Sequence, residues 1–307
     1  MTWNTIYLKL ILTTLFWAAV FHVGKYAVAL MSPLSIGAWR FIIAGLILIP
    51  VVAWQGGWSL PAVHRNALPL LAMSSIGVFG FNVALFYGLR TTSSVNAALI
   101  MAFNPTLVVV LSALLNREQV SYRQMLGLLL GLSGVAVVVS KGSWHALTAL
   151  SFSFGDLLVL LGSLCWAIYS VIPKRFVSGI SSTQVAGSTV VGGAMIMAMF
   201  AAFATSDFLA PPSTSIMAAI LFMALFGSVL AYLWWNQGVQ EIGAAGVAVF
   251  INLVPIFATL IGLLRGQSIS MAQIGGALLV IAGVMYSSMQ MKLAVSKPDL
   301  HRPCLEH

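Results

Sequence analysis

Acidic side chains are what this sequence has least of: six Asp and Glu among 307 residues, against 14 Lys and Arg. Only 7 % of the chain is charged, 60 % is apolar and the mean hydropathy is +1.02, too little polarity to cover a water-facing surface. Soluble folds are thereby excluded, and the chain reads as an integral membrane protein. The six acids, Glu118, Asp156, Asp207, Glu241, Asp299 and Glu306, fall in connections, at helix ends or in the C-terminal tail. No carboxylate relay of the kind used by ion-coupled pumps is available, which leaves His22 as the candidate for any proton coupling. Two cysteines, Cys165 in an apolar run and Cys304 in the polar tail, exclude a disulfide framework and a thiolate metal site. Despite a net charge of +8 no run of Lys and Arg makes a basic patch, so nucleic acid is not an expected partner. A Walker loop, a metal-ligand cluster and a dinucleotide fingerprint are also missing. No cofactor and no ATP-driven work by this chain alone are expected.

What is present is apolar sequence in lengths of about 20 residues, the span of a hydrocarbon core at 1.5 Å per residue. Ten such runs lie near 5–24, 33–54, 67–88, 92–115, 122–140, 155–173, 183–205, 215–236, 243–265 and 271–291. Connections are short, so neighbouring helices pair as antiparallel hairpins. The first run is a membrane helix rather than a cleavable signal peptide, because it has a twin inside the chain. Residues 292–307 form a polar C-terminal tail, and Leu305-Glu306-His307 reads as the remnant of a cloning tag. Lys9, Arg65, Arg117, Arg123, Lys174, Arg175, Lys292, Lys297 and Arg302 fall on one side, and Lys25, Arg40, Arg90, Lys141 and Arg265 on the other. That bias predicts both termini in the cytoplasm.

The twin is the organising feature. Leu15-Phe16-Trp17-Ala18, with Lys25 after it, returns as Leu164-Cys165-Trp166-Ala167, with Lys174 after it, 149 positions later (166 minus 17). Gly88, Ala98 and Pro105 align with Gly238, Ala248 and Pro255, and Ser121, Gln124, Gly127 and Gly134 with Ser270, Gln273, Gly276 and Gly283. Residues 1–146 and 147–291 are therefore two copies of one unit. Five helices per copy is odd, so the second copy enters the membrane in the opposite sense. The predicted fold is an all-α membrane protein, ten transmembrane helices as two inverted five-helix repeats around a central cavity, an architecture suited to alternating access.

Candidate site residues follow from depth and pairing. Trp17 and Trp166 lie near mid-membrane rather than in an interfacial belt, on faces shared with Thr13, Thr14 and Phe21 and with Gly162, Ser163 and Ser170. A cavity wall is favoured over plain helix packing, and each indole N–H needs a partner. Pro105 and Pro255 are matched interruptions, expected to act as hinges. Asn96, Asn104 and Asn252 nearby serve either a substrate or a neighbouring helix. Phe79, Phe81, Asn82, Phe86 and Tyr87, then Tyr232, Trp234, Trp235, Asn236 and Gln237, suit a substrate with an apolar body and a polar head. Trp234 and Trp235 themselves read better as interfacial belt residues, and Arg40 as a snorkelling side chain rather than a carboxylate receptor. The substrate cavity is assigned to Trp17, Phe21, His22, Asn82, Tyr87, Asn96, Met101, Trp166, Tyr169 and Asn252. Gly131-Leu132-Ser133-Gly134 matches the GxSG pattern of intramembrane serine proteases, but no histidine base is near; close helix packing explains these glycines better.

Taken together, the Trp-Ala/Lys openings, the Asn-Pro and Val-Pro interruptions and Glu118 nine residues before Gly127 resemble the EamA-type repeat of the drug/metabolite transporter superfamily. The resemblance covers about 5–290 and departs at Gln267, which stands opposite Glu118. It is similar in particular to YddG-type exporters of aromatic and other amino acids. The resemblance implies a ten-helix inverted repeat that exports amino acids, and also flat cationic compounds like methyl viologen; a bacterial inner-membrane carrier working as a monomer in the lipid bilayer is the accompanying expectation. The leading expectation is an uncoupled facilitator; the alternatives are a proton-coupled exporter of drugs or other metabolites and, from another class, a hydrolase using Ser133. The residues alone go as far as a secondary transporter of a small organic substrate.

Overall fold

Helix boundaries in this chain are written by small capping side chains. The computed structural model describes residues 3–92, 97, 100–117, 121–148, 153–266 and 268–295. Ten long helices follow one another: α1 (Trp3–Ala27), α2 (Pro33–Trp54), α3 (Ala67–Thr91), α4 (Ile100–Asn116), α5 (Tyr122–Ser140), α6 (Phe154–Phe176), α7 (Ser182–Ala204), α8 (Thr214–Ile242), α9 (Ala244–Leu264) and α10 (Met271–Val295). Two short helices, Leu60–Arg65 and Trp144–Thr148, lie in the connections before α3 and α6. No strand occurs among the described residues. Eight of the ten helices have the length and hydropathy of a bilayer crossing, and the described parts of α4 and α10 are shorter apolar helices.

Ser121 and Gln124 form a reciprocal cap at the start of α5, each bonding the other's backbone N–H at 3.2 and 3.0 Å. Ser270 and Gln273 do the same for α10, so two of the repeated sequence positions exist to begin a helix. Ser153 with Asp156 and Ser181 with Gln184 cap α6 and α7. The sequence places the end of the eighth span at residue 236, where polar residues begin. In the structure α8 continues through Gln237, Gln240 and Glu241 and stops at Gly243, whose φ of +79° suits glycine at a helix C-terminus. Polarity marks where the helix leaves the apolar layer, not where it ends.

The two halves are interlocked. α1 packs on α8 and α9, while its twin α6 packs on α3 and α4, so each half's first helix is embedded in the other half. Two twin pairs, α2 with α7 and α5 with α10, pack on one another directly. At the α5–α10 crossing a Cβ on Gly127 would stand 2.7 Å from the Gly283 carbonyl oxygen, and one on Gly134 would stand 2.7 Å from that of Gly276. Since Gly127 is the twin of Gly276 and Gly134 the twin of Gly283, each residue meets the twin of the other. Contacts of that form require the helices to be antiparallel and related by a pseudo-two-fold axis through the crossing. The inverted repeat is thereby visible as geometry. Gly88 on Val159 and Gly238 on Leu10 repeat the pattern for α3–α6 and α8–α1.

The candidate substrate site at the centre of the bundle

Within α3 and α8 the backbone widens to π-helical turns over Met73–Gly80 and Met223–Leu230, matched segments of eight residues each. Such turns disturb the regular hydrogen-bond ladder, leave carbonyls open to other donors, and occur often at functional sites. Both contain a glycine on which the opposite half rests a side chain: Tyr169 of α6 on Gly77, and its twin position Val20 of α1 on Gly227. The sequence contains the two glycines but nothing in composition that distinguishes a π turn from an α turn.

Around these segments the aromatic side chains converge. The Trp17 and Trp166 rings meet edge to face at 5.2 Å between centroids. Trp235 lies 5.1 Å from Trp17 and 5.3 Å from Trp166. Tyr169 stacks on Trp166 at 5.1 Å, Tyr232 meets it edge-on at 5.4 Å, and Phe81 closes another side at 5.1 Å. Ring pairs in this distance range contribute about 0.5–1.5 kcal/mol each beyond their burial. Trp166, Tyr169, Tyr232 and Trp235 are all within 2 % of full burial, whereas Trp17 is half-buried. Residues of α1, α3, α6 and α8, drawn from both halves, thus form one aromatic centre.

The polar groups of this centre are only partly satisfied. Trp17 Nε1 donates to the Gly227 carbonyl at 3.3 Å, and Trp235 Nε1 to Ser170 Oγ at 3.2 Å. The Tyr169 hydroxyl accepts from Asn236 Nδ2 at 2.7 Å and lies 3.2 Å from Thr189 Oγ1. Trp166 Nε1 has no partner. A buried donor without an acceptor costs about 1–3 kcal/mol, and a bound ligand's oxygen would recover it.

Two sequence expectations are corrected here. Trp235 is no belt residue: consecutive helix positions point about 100° apart, so Trp234 lies against Phe16 at 5.8 Å while Trp235 turns into the centre. Arg40 does not snorkel. It is 4 % exposed and donates to Ser228 Oγ at 2.8 Å, to the Gly227 carbonyl at 3.1 Å and to Asn82 Oδ1 at 3.3 Å. Neutral acceptors in the interior outcompete the membrane interface for this side chain.

Of the remaining candidates, Asn82 joins the Arg40 network and also donates to the Val78 carbonyl at 2.7 Å. Phe21 and Met101 pack together with Leu85, Ala97 and Val159 in a separate apolar cluster. Tyr87 is half-buried beneath the Arg90 guanidinium at 5.3 Å, and His22 Nε2 lies 3.2 Å from the Ala258 carbonyl, linking α1 to α9. Asn252 packs on the Gly131 backbone of α5, and Asn104 donates to the Ser163 carbonyl at 2.6 Å. Pro105 and Pro255 each stand in the first turn of a restarted helical segment, Asn104–Asn116 and Val254–Leu264, where proline lacks only an N–H that had no partner anyway. Asn96, Ala98, Glu118 and Gln267 lie outside the described residues. Ser133 is exposed and donates to the Leu130 carbonyl of its own helix at 3.0 Å, and among the described residues no group of His, Cys, Asp and Glu is spaced to hold a metal ion.

An inverted pair of five-helix units with a half-satisfied aromatic centre between them belongs to a membrane transporter. The sequence of each unit matches the model of the EamA-like transporter family, over residues 4–140 and 153–289, and the chain belongs to that family, within the drug/metabolite transporter superfamily. It is 38 % identical to the uncharacterized transporter YyaM of Bacillus subtilis, over 92 % of this chain and 93 % of that one. An uncharacterized transporter of Archaeoglobus fulgidus is 27 % identical over 91 % of this chain and 95 % of its own length. A protein crystal structure at 20 % identity superposes with a TM-score of 0.79, covering 96 % of this chain and all of that one, a likeness of fold.

Proposed function

We propose that this transporter exports amino acids, aromatic ones among them, across a bacterial inner membrane by alternating access, with both termini in the cytoplasm and one chain as the working unit. The observation that carries the reading is the unpartnered Trp166 N–H within a ring of aromatic side chains shared by the two inverted halves. Aromatic walls accept an apolar or flat body, and the unsatisfied Trp166 N–H is free to bond a polar head. The likeness of the Trp-Ala/Lys openings to YddG-type exporters points the same way. Drug-like and other small metabolites fit the aromatic walls equally and form the competing panel.

The carrier works as a facilitator, moving substrate down its own gradient. Among the described residues Asp156 and Asp207 are engaged at helix starts, and neither is set in the aromatic centre. Uptake of labelled amino acids into liposomes containing the purified protein tests the reading. Saturable uptake with an end-point indifferent to an imposed pH gradient is the expected result. Absence of saturable uptake for every amino acid would sink it, and gradient-driven accumulation would replace the facilitator with a proton exchanger.

A further inference from the structure

Arg40 stands seven residues into α2, which at 1.5 Å per residue sets it roughly 10 Å along the span from that end. Removing a guanidinium from water without a counter-charge costs several kcal/mol even after relaxation. Ionisable residues inside membrane spans face the bundle interior, pair with one another or with backbone carbonyls, and mark substrate or ion pathways. Here the hydrogen-bond partners are a hydroxyl, an amide and a backbone carbonyl, and the Phe41 ring lies 4.9 Å from Cζ. The three acids among the described residues are engaged elsewhere. Asp156 accepts from the Ser153 backbone N–H and from Thr92, Asp207 from Ser32 and Ser35, and Glu241 from Gln237. Among the described residues the cation is left without a fixed anion.

Its position couples it to the aromatic centre. Arg40 Nη2 and Trp17 Nε1 donate to the same Gly227 carbonyl, and Phe41 bears edge-on against Tyr232 at 6.0 Å. A guanidinium carries five N–H donors, and the three acceptors seen here leave others for a planar oxyanion, the geometry an arginine fork matches best. Trp166 Nε1 supplies a further buried donor at the same centre. The pseudo-symmetry sharpens the point, because the twin position of Arg40 is Thr189, so only one charge is offered and it has one orientation.

We propose that Arg40 receives a carboxylate of the substrate, making this a carrier for organic acids with apolar bodies, zwitterionic amino acids included. The inference rests on the reading of the aromatic centre as the substrate site. A bound carboxylate supplies the missing counter-charge, so the site discriminates an acid from its uncharged amide even when the rest of the molecule is identical.

The test uses the purified full chain in detergent and reads its thermal unfolding against four probes: phenylalanine, phenylalaninamide, phenylacetate and phenylacetamide. Both acids should raise the unfolding temperature saturably, with the amides about tenfold weaker or more. Arg40→Gln should erase that preference, and Arg40→Lys should retain part of it. Equal binding of acid and amide to the unaltered protein, no binding of either acid, or a preference that survives in Arg40→Gln would each overturn the proposal. If Arg40→Gln fails to fold, the comparison on the unaltered protein decides alone. Phenylacetate carries no amino group, so the two readings fail separately: saturable binding of phenylacetate alongside absent amino-acid uptake would leave the carboxylate site standing and remove the amino-acid cargo.

Discussion

Trp17 and Trp166 are the same residue in two copies of one unit, yet only Trp17 bonds its indole N–H. That asymmetry is where a substrate has something to gain. Trp166→Phe keeps a ring in the cluster and removes the unpartnered donor, so the unfolding temperature should change little while the half-saturation concentration for transport rises. A stability loss as large as a core truncation, about 3–5 kcal/mol, would make Trp166 a packing residue instead. Lys25→Ala, at an exposed helix end, should leave uptake close to that of the unaltered protein. The residue scale is also where the sequence is hardest to read. An arginine a few residues inside an apolar run is compatible with snorkelling or with burial, because the deciding partner, Ser228, lies 188 positions away. Trp234 and Trp235 are neighbours whose opposite fates depend on a rotation that a pair of adjacent tryptophans conceals.

At the scale of elements, the repeated glycines and caps were legible because backbone demands leave few residue choices. Gly127 and Gly134 recur as Gly276 and Gly283 since any Cβ there would strike a carbonyl. Gly134→Leu should therefore destabilise the α5–α10 crossing by about 1–3 kcal/mol, read as a lowered unfolding temperature. Gly275→Leu on α10, where an added Cβ meets nothing within 4 Å, should be neutral. The π turns were not legible: each carries a glycine packed by a side chain of the opposite half, Tyr169 on Gly77 and Val20 on Gly227, contacts between residues far apart in the chain. The start of α2 offers a pH test. Burial pushes the Asp207 carboxyl up, but donation from Ser35 and Ser32 outweighs it and holds the group below its ordinary value. A depressed carboxyl stabilises above its unfolded value, about 3.9, and that contribution is lost as pH falls through the folded value. The stability difference between the unaltered protein and Asp207→Asn should thus be constant at neutral pH and shrink only below about pH 4. A difference that persists unchanged at the acid end would contradict a stabilising role for the Ser32 and Ser35 bonds to the Asp207 carboxylate.

For the whole molecule, an odd number of helices per repeat already dictates inversion, and inversion dictates that the axis passes between equivalent helices. Helix number and antiparallel twins therefore followed from counting, and the glycine contacts at the α5–α10 crossing realise them. What counting could not reach is how far the halves interlock, with α1 lodged against α8 and α9 and α6 against α3 and α4. The aromatic centre exists because of that exchange, which sets Trp17 of one half on the π segment of the other. Its role as the substrate site is the central claim, and one comparison addresses it directly: initial rates of labelled amino-acid uptake into liposomes for the unaltered protein, Trp166→Ala and Ser133→Ala, at matched amounts of folded protein. Ser133→Ala should match the unaltered rate, and Trp166→Ala should lose most of it. Normal uptake by Trp166→Ala would contradict the account, because the pathway would then run elsewhere.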